Sequence, residues 1–213
     1  MSKDRIVKHK LFVVDIEKEQ AFLDSYREKG YKLMNIGLYT NDYIFEKCDD
    51  EFIPHVRIDY RTFKKKEDYK EYITLYEDAG WKHLKGTYSS GVQYFEQIDV
   101  NTTEELFSDK QSYADLYKRL FLYSIINIVC WTCIFAFTLK AYDLRLLMKP
   151  KELFLTPGLW DSSGIRFVIG FIFELPFVIW RNGWPFLAFI CLMAFIISAI
   201  KAKIKENRYI QKI

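Results

Sequence analysis

The chain has 213 residues, 28% of them charged, a net charge of +3 and a mean hydropathy of −0.10. That length suits one or two domains, and the composition excludes collagen-like, disordered and disulfide-framework proteins. Averages hide a segregation, however. Residues 1–118 hold 19 Lys+Arg against 23 Asp+Glu, a net of −4, and residues 119–213 hold 12 against 5, a net of +7.

Met1 to Lys10 is polar and basic, and Leu11–Val14 is too short for a signal-peptide core, so the N-terminal part is expected not to be exported. Leu11–Val14 reads as a short strand. Asp15 follows as a helix cap, and Phe22, Leu23 and Tyr26 form one apolar helical face. Gly30 stands where a left-handed cap wants glycine. An extended run from Tyr31 turns at Tyr39-Thr40-Asn41-Asp42 and returns to Ile44-Phe45-Glu46.

Shifting the chain by fifty residues lays it on itself without a gap. Tyr26, Gly30, Lys32, Phe45 and Glu46 fall on Tyr76, Gly80, Lys82, Phe95 and Glu96. The second copy starts with strand Val56–Tyr60, in which Val56, Ile58 and Tyr60 alternate with Arg57 and Asp59 as a half-buried strand should. Its helix carries Glu67-Asp68 in the first turn and the face Tyr69, Tyr72, Ile73 and Tyr76. The expected fold is α+β: a β-α-β-β unit, duplicated over about 8–48 and 54–98, with two helices on one face of a six-stranded, mostly antiparallel sheet. This domain covers 1–99.

A linker and helical stalk occupy 100–119, with Ser108 and Gln111 as a capping box and no Pro or Gly from there to Pro150. Leu120 to Leu139 is twenty uncharged residues, ~30 Å of helix, enough to cross a bilayer. Trp184 to Ile200 is a second, shorter candidate. The cluster Lys201, Lys203, Lys205, Arg208 and Lys212 follows it as a basic tail over 201–213 and belongs in the cytoplasm by the positive-inside rule. Phe167–Trp180 is apolar but only fourteen residues long and contains Glu174 and Pro176. It suits a re-entrant or interfacial segment, and a third crossing would put the basic tail outside. A helical hairpin over 160–200 is the rival. The chain is therefore expected to be a multi-pass protein of the cell membrane, with both termini cytoplasmic.

Candidate sites are sparse. Glu174 with Arg166 and Arg181 is either a ligand or proton site in a membrane cavity or an ion pair near the interface. Arg61, Lys64, Lys65 and Lys66, together with Lys201, Lys203 and Lys205, are candidates for contact with anionic lipid headgroups. Glu46 and Glu96 end equivalent strands, which would allow a paired-carboxylate site, but repeat symmetry alone explains them and they read as solvated hairpin ends. His9, His55 and His83 share no metal-ligand spacing, and Cys130 and Cys133 sit in an apolar stretch, so neither a metal nor a cofactor is expected. No phosphate-binding glycine loop or nucleophile elbow is present. Twelve tyrosines in residues 1–118 would suit base stacking, but the −4 charge there opposes a nucleic-acid partner.

The opening Lys10–Asp15, the doubled helix–Gly–aromatic–Lys unit ending in Phe-Glu, and Glu105–Asp109 before a basic-flanked apolar helix resemble a bacterial family of unknown function. That family has an N-terminal tandem-repeat domain followed by transmembrane helices, and its members are often encoded beside PadR-type regulators. The resemblance implies an accessory or regulatory role at the membrane and carries over no catalytic residue. The expectation is a non-enzymatic, membrane-anchored binding module. Its partners would be membrane lipids, a protein such as a membrane protein or a PadR-type regulator, or a further copy of itself. The alternative is a small membrane enzyme or transport component with its site near Glu174.

Overall fold

The structure, a computed structural model, describes residues 4–10, 15–37, 42–141 and 149–212. The expected strand Leu11–Val14 and the turn tip at Tyr39–Asn41 lie outside these residues. The described elements are strand β1 (Arg5–His9), helix α1 (Ile16–Arg27), strands β2 (Tyr31–Gly37), β3 (Asp42–Lys47) and β4 (Val56–Tyr60), helix α2 (Lys66–Asp78), strands β5 (Trp81–Lys85) and β6 (Val92–Gln97), and helices α3 (Lys110–Ala141), α4 (Gly164–Asn182) and α5 (Trp184–Ile210). They form two compact units, one of Met1–Leu122 with Ser198–Ile213 and one of Tyr123–Ile197.

In the first unit, α1 begins where the Asp15 carboxylate accepts the Lys18 N–H at 3.4 Å. The helix–strand junctions turn at Gly30 (φ 82°) and Gly80 (φ 87°), a left-handed conformation that side chains with a Cβ resist. The carbonyls of these glycines accept the N–H groups of Cys48 and Ile98 at 2.9 and 3.0 Å. β1 pairs with β3, and β3 with β2, all antiparallel; β4, β6 and β5 repeat the pattern. Both sheets bulge at the same place. Leu33 faces Phe45 and the next pair is Asn35 with Ile44; His83 faces Phe95 and the next pair is Lys85 with Tyr94.

Ring packing recurs as well. Tyr26 stacks on Phe45 at 4.4 Å with Phe22 edge-on at 6.0 Å, and Tyr76 lies on Phe95 at 4.5 Å with Tyr72 edge-on at 5.7 Å. Each helix thus covers the central strand of its own sheet with two aromatic rings spaced one turn apart, which is why the i, i+4 aromatic pattern is needed.

The single six-stranded sheet expected from the sequence is replaced by two three-stranded sheets. The reason is the second sheet, which is buried on both faces. Phe95 and Trp81 join Tyr72 under α2, while Val56, Ile58 and Tyr94 join Ile16, Leu23, Ile36 and Phe45 in the core around α1. One continuous sheet with both helices on the same face would leave Val56, Ile58 and Tyr94 in water, at a cost of ~1.5–3 kcal/mol for each large apolar side chain. β4 is correspondingly not half-buried, since Arg57 is 6% and Asp59 1% exposed. Glu96 is not a solvated hairpin end either. It is 5% exposed and faces Lys82 Nζ at 3.0 Å and Lys32 Nζ at 3.8 Å.

α3 begins one residue later than the expected capping box. The Asp109 carboxylate accepts both the N–H and the hydroxyl of Ser112 at 2.7 Å, which makes Asp109 the cap in place of Ser108. α5 runs through the basic segment to Ile210, so residues 201–210 are helical, not a free tail. In the second unit α4 is 19 residues long, five more than the apolar stretch that flagged it, and contains Pro176. Two helices, Lys110–Lys140 and Trp184–Ile210, are long and apolar enough to cross a membrane. Their outward side chains include Phe137, 74% exposed, and Ile190, 64% exposed, an apolar surface that water-soluble helices avoid.

Phe95→Ala is expected to lower the stability of the first unit by ~3–5 kcal/mol, as for other fully buried rings. Leu75→Ala on the exposed side of α2 is expected to change it by less than ~0.5 kcal/mol. Denaturant unfolding followed by near-ultraviolet circular dichroism checks both.

Candidate functional site

In the first unit, α1, β4, the 105–107 segment, the start of α3 and the end of α5 enclose an open cavity of about 460 Å³. That lies within the ~300–1,000 Å³ of small-molecule sites. α1 contributes Glu17, Gln20, Ala21 and Asp24, all on one side because they are spaced by three and four residues. Arg57 and Ile58 come from β4, and Leu116 and Tyr117 form the α3 wall next to Tyr113.

Aromatic rings line the α3–α5 side. Tyr209 of α5 lies parallel to Tyr113 at 5.1 Å and to Tyr117 at 5.7 Å, with interplanar angles of 12° and 16°. Phe107 meets Tyr113 edge-on at 5.1 Å. The Tyr113 hydroxyl donates to Glu105, and the Tyr117 hydroxyl donates to Glu17 Oε1 at 2.7 Å. Burial, reinforced by these carboxylates, pushes both phenols well above their ordinary range, so they remain protonated donors.

The α1–β4 side is charged. Arg57 Nη1 donates to both Asp24 oxygens, at 3.0 and 3.1 Å, and His55 Nδ1 lies 2.9 Å from the same carboxylate. Arg57 Nε is buried and has no hydrogen-bond partner among the described residues. Just outside the cavity, Lys205 pairs with Glu17 and Lys201 with Asp15 at 3.1 Å. Burial works to raise both carboxyls, but the lysine pairs and the further hydrogen bonds outweigh it and hold them below their ordinary values. A second polar cluster lies in the core, where Tyr43 and Tyr94 both donate to Glu19 Oε1 at 2.6 Å. Burial still raises the Glu19 carboxyl above its ordinary value.

Of the residues singled out in the sequence, Lys201 and Lys205 therefore hold the N-terminus of α1. Lys203 pairs with Glu206 at 2.9 Å and lies over the Phe121 ring at 5.4 Å. Arg61 lies over the Phe63 and Tyr72 rings, each at 5.5 Å, and Lys66 over Tyr88, while Lys64 and Lys65 are exposed. In the second unit, Glu174 accepts the backbone N–H groups of Leu155 and, at 2.9 Å, of Thr156. Arg181 donates to the Leu153 carbonyl, and Arg166 is exposed, so these three side chains form no ion-pair triad. His9 pairs with Asp42, and His83 lies 3.1 Å from Gln93. Among the described residues no group of three or more His, Cys, Asp or Glu could hold a metal ion.

The sequence reading missed the cavity residues because they come from five segments. The only signal was the i, i+4 pair Tyr113 and Tyr117, which reads equally well as stalk packing. A family described as a protein of unknown function (DUF2812) matches residues 15–130. No curated protein and no solved structure shows significant similarity to the chain.

Two opposite pH dependences follow. Carboxyls held low, as in Asp15 and Glu17, contribute stability that is present above their unfolded values, about pH 4, and is lost as pH falls through the lowered ones. The double variant Lys201→Ala, Lys205→Ala is thus expected to be less stable than wild type at neutral pH, with the gap closing on acidification. Glu19, held high, contributes stability that is complete below its unfolded value and is lost as pH rises through the folded one. The stability of Glu19→Gln relative to wild type should therefore improve from about pH 4 upward. Thermal melts across pH measure both.

Proposed function

We propose that this chain, which belongs to DUF2812, a family of proteins of unknown function, is a non-enzymatic, membrane-anchored binding module that couples an occupant of its N-terminal unit to the membrane helices. The observation that carries this reading is the cavity wall. Tyr113, Leu116 and Tyr117 belong to α3 and Tyr209 to α5, the two helices long and apolar enough to cross a membrane. An occupant touching both helices and α1 stabilises the arrangement in which they are joined; at one hundred times its Kd that amounts to ~2.7 kcal/mol. Differential binding of this kind is what a sensor or accessory protein needs.

The same unit supports a two-crossing topology. Met1–Leu122 and Ser198–Ile213 lie in one compact body, and a body held on one side of a membrane needs an even number of crossings between its two pieces. The basic residues from Lys201 onward favour the cytoplasm for that body. The fifty-residue recurrence of registers, bulges and ring pairs supports reading the N-terminal unit as a duplicated β-α-β-β element. A membrane protein or a PadR-type regulator is the protein partner this reading calls for. The alternative, a membrane enzyme or transport site at Glu174, is weakened by that carboxylate's use as an acceptor for two backbone N–H groups.

A fluorescent reporter fused after Ile213 is expected to be active and an export-dependent phosphatase at the same point silent; the reverse result overturns the two-crossing topology. Cross-linking followed by recovery of the full chain from detergent should yield a stoichiometric partner, and Tyr117→Ala at the cavity wall should reduce that yield. Recovery at background level, with no ligand raising the melting temperature, would sink the binding reading.

A further inference from the structure

We propose that the cavity takes a small, flat aromatic cation; this deepens the binding reading above and rests on it. Three acids, Glu17, Asp24 and Glu105, line the cavity against one base, Arg57. That base is already committed, since Asp24 neutralises it through contacts of 3.0 and 3.1 Å. Glu17 is likewise matched by Lys205. Glu105 differs: it is exposed, accepts only the Tyr113 hydroxyl on one oxygen, and has no cation within ion-pair distance among the described residues. The unspent charge in the cavity is therefore negative.

The shape and the π-faces select the rest of the ligand. Tyr113 and Tyr117 each stack on Tyr209, so the three rings form one π-stack in the cavity lining, which a further flat ring can extend. Ring faces carry negative quadrupole charge, which attracts a cation and stacks a flat π-system. Gln20, also in the wall, supplies an amide with no partner among the described residues. An aromatic anion would meet the same faces with the wrong sign and find its only cation already paired. A neutral aromatic would stack but leave Glu105 unneutralised. A flat cation extends the tyrosine stack and directs its charge to Glu105, bridging α3 and α5.

The test uses the full chain in a neutral detergent, with ethidium as a flat cation and 8-anilinonaphthalene-1-sulfonate as an aromatic anion, each corrected against empty micelles. Fluorescence polarisation should show saturable ethidium binding that weakens with added salt. Glu105→Gln and Tyr209→Leu should each weaken it about tenfold, the size of one lost charged contact. Tyr209→Phe, which keeps the ring face, should leave it unchanged. Equal ethidium affinity in Glu105→Gln overturns the cation assignment. Tighter binding of the anionic dye, lost in Tyr209→Leu, also overturns it and leaves the cavity as a binding site. Absence of saturable binding by either dye overturns the cation proposal, and the binding reading then rests on the partner recovery described above.

Discussion

Tyr94 and Phe95 are neighbours on β6, point to opposite faces of their sheet, and are both buried. Phe95 packs under Tyr72 and Tyr76 of α2, and Tyr94 reaches the core around α1. A strand covered on both sides needs two layers over it, and the chain supplies α2 on one face and α1 with its own sheet on the other. This is why the N-terminal unit is built from two small sheets and why α1 meets both of them.

Double coverage brings polar side chains inside, and buried polar groups need partners. Asp59 receives the Tyr72 hydroxyl at 2.8 Å and the Arg119 guanidinium at 2.8 Å. Arg57 is held by Asp24, and Glu19 by two tyrosines. Each of these ties joins distant segments, and the Asp59–Arg119 tie fastens the start of α3 to β4. Arg119 also donates to the Tyr60 carbonyl at 2.7 Å. Rigid attachment of α3 at this point gives the cavity a fixed wall, so the buried polar ties and the candidate site share one origin. Breaking one partner of such a tie costs more than the tie itself contributes, because the other is left buried and alone.

The basic end of α5 links electrostatics to this geometry. Lys201 and Lys205, which follow the apolar run of α5, are the partners of Asp15 and Glu17 at the first turn of α1. Acids there suit the helix dipole. Such exposed pairs contribute ~0.2–1 kcal/mol each and are screened by salt. They therefore orient α5 without locking it, while the parallel tyrosine rings supply the packing that sets its position.

Much of this was legible from residue spacing. The i, i+4 aromatics of α1 and α2, the glycines before Tyr31 and Trp81, the paired strands ending at Glu46 and Glu96, and the two membrane-length apolar runs all depend on contacts within a few residues or within one hairpin. Such contacts leave a periodic trace in the sequence. The division into two sheets, the burial of Arg57, Asp59 and Glu96, the helical course of residues 201–210 and the cavity itself had no such trace. Val56, Ile58 and Tyr94 are apolar whichever partner covers them, and Lys205 is basic whether it faces lipid or Glu17. Local pattern determines what each segment can bury, and only the tertiary structure decides which distant segment buries it, because that choice is made by the joint satisfaction of faces and charges far apart in the chain.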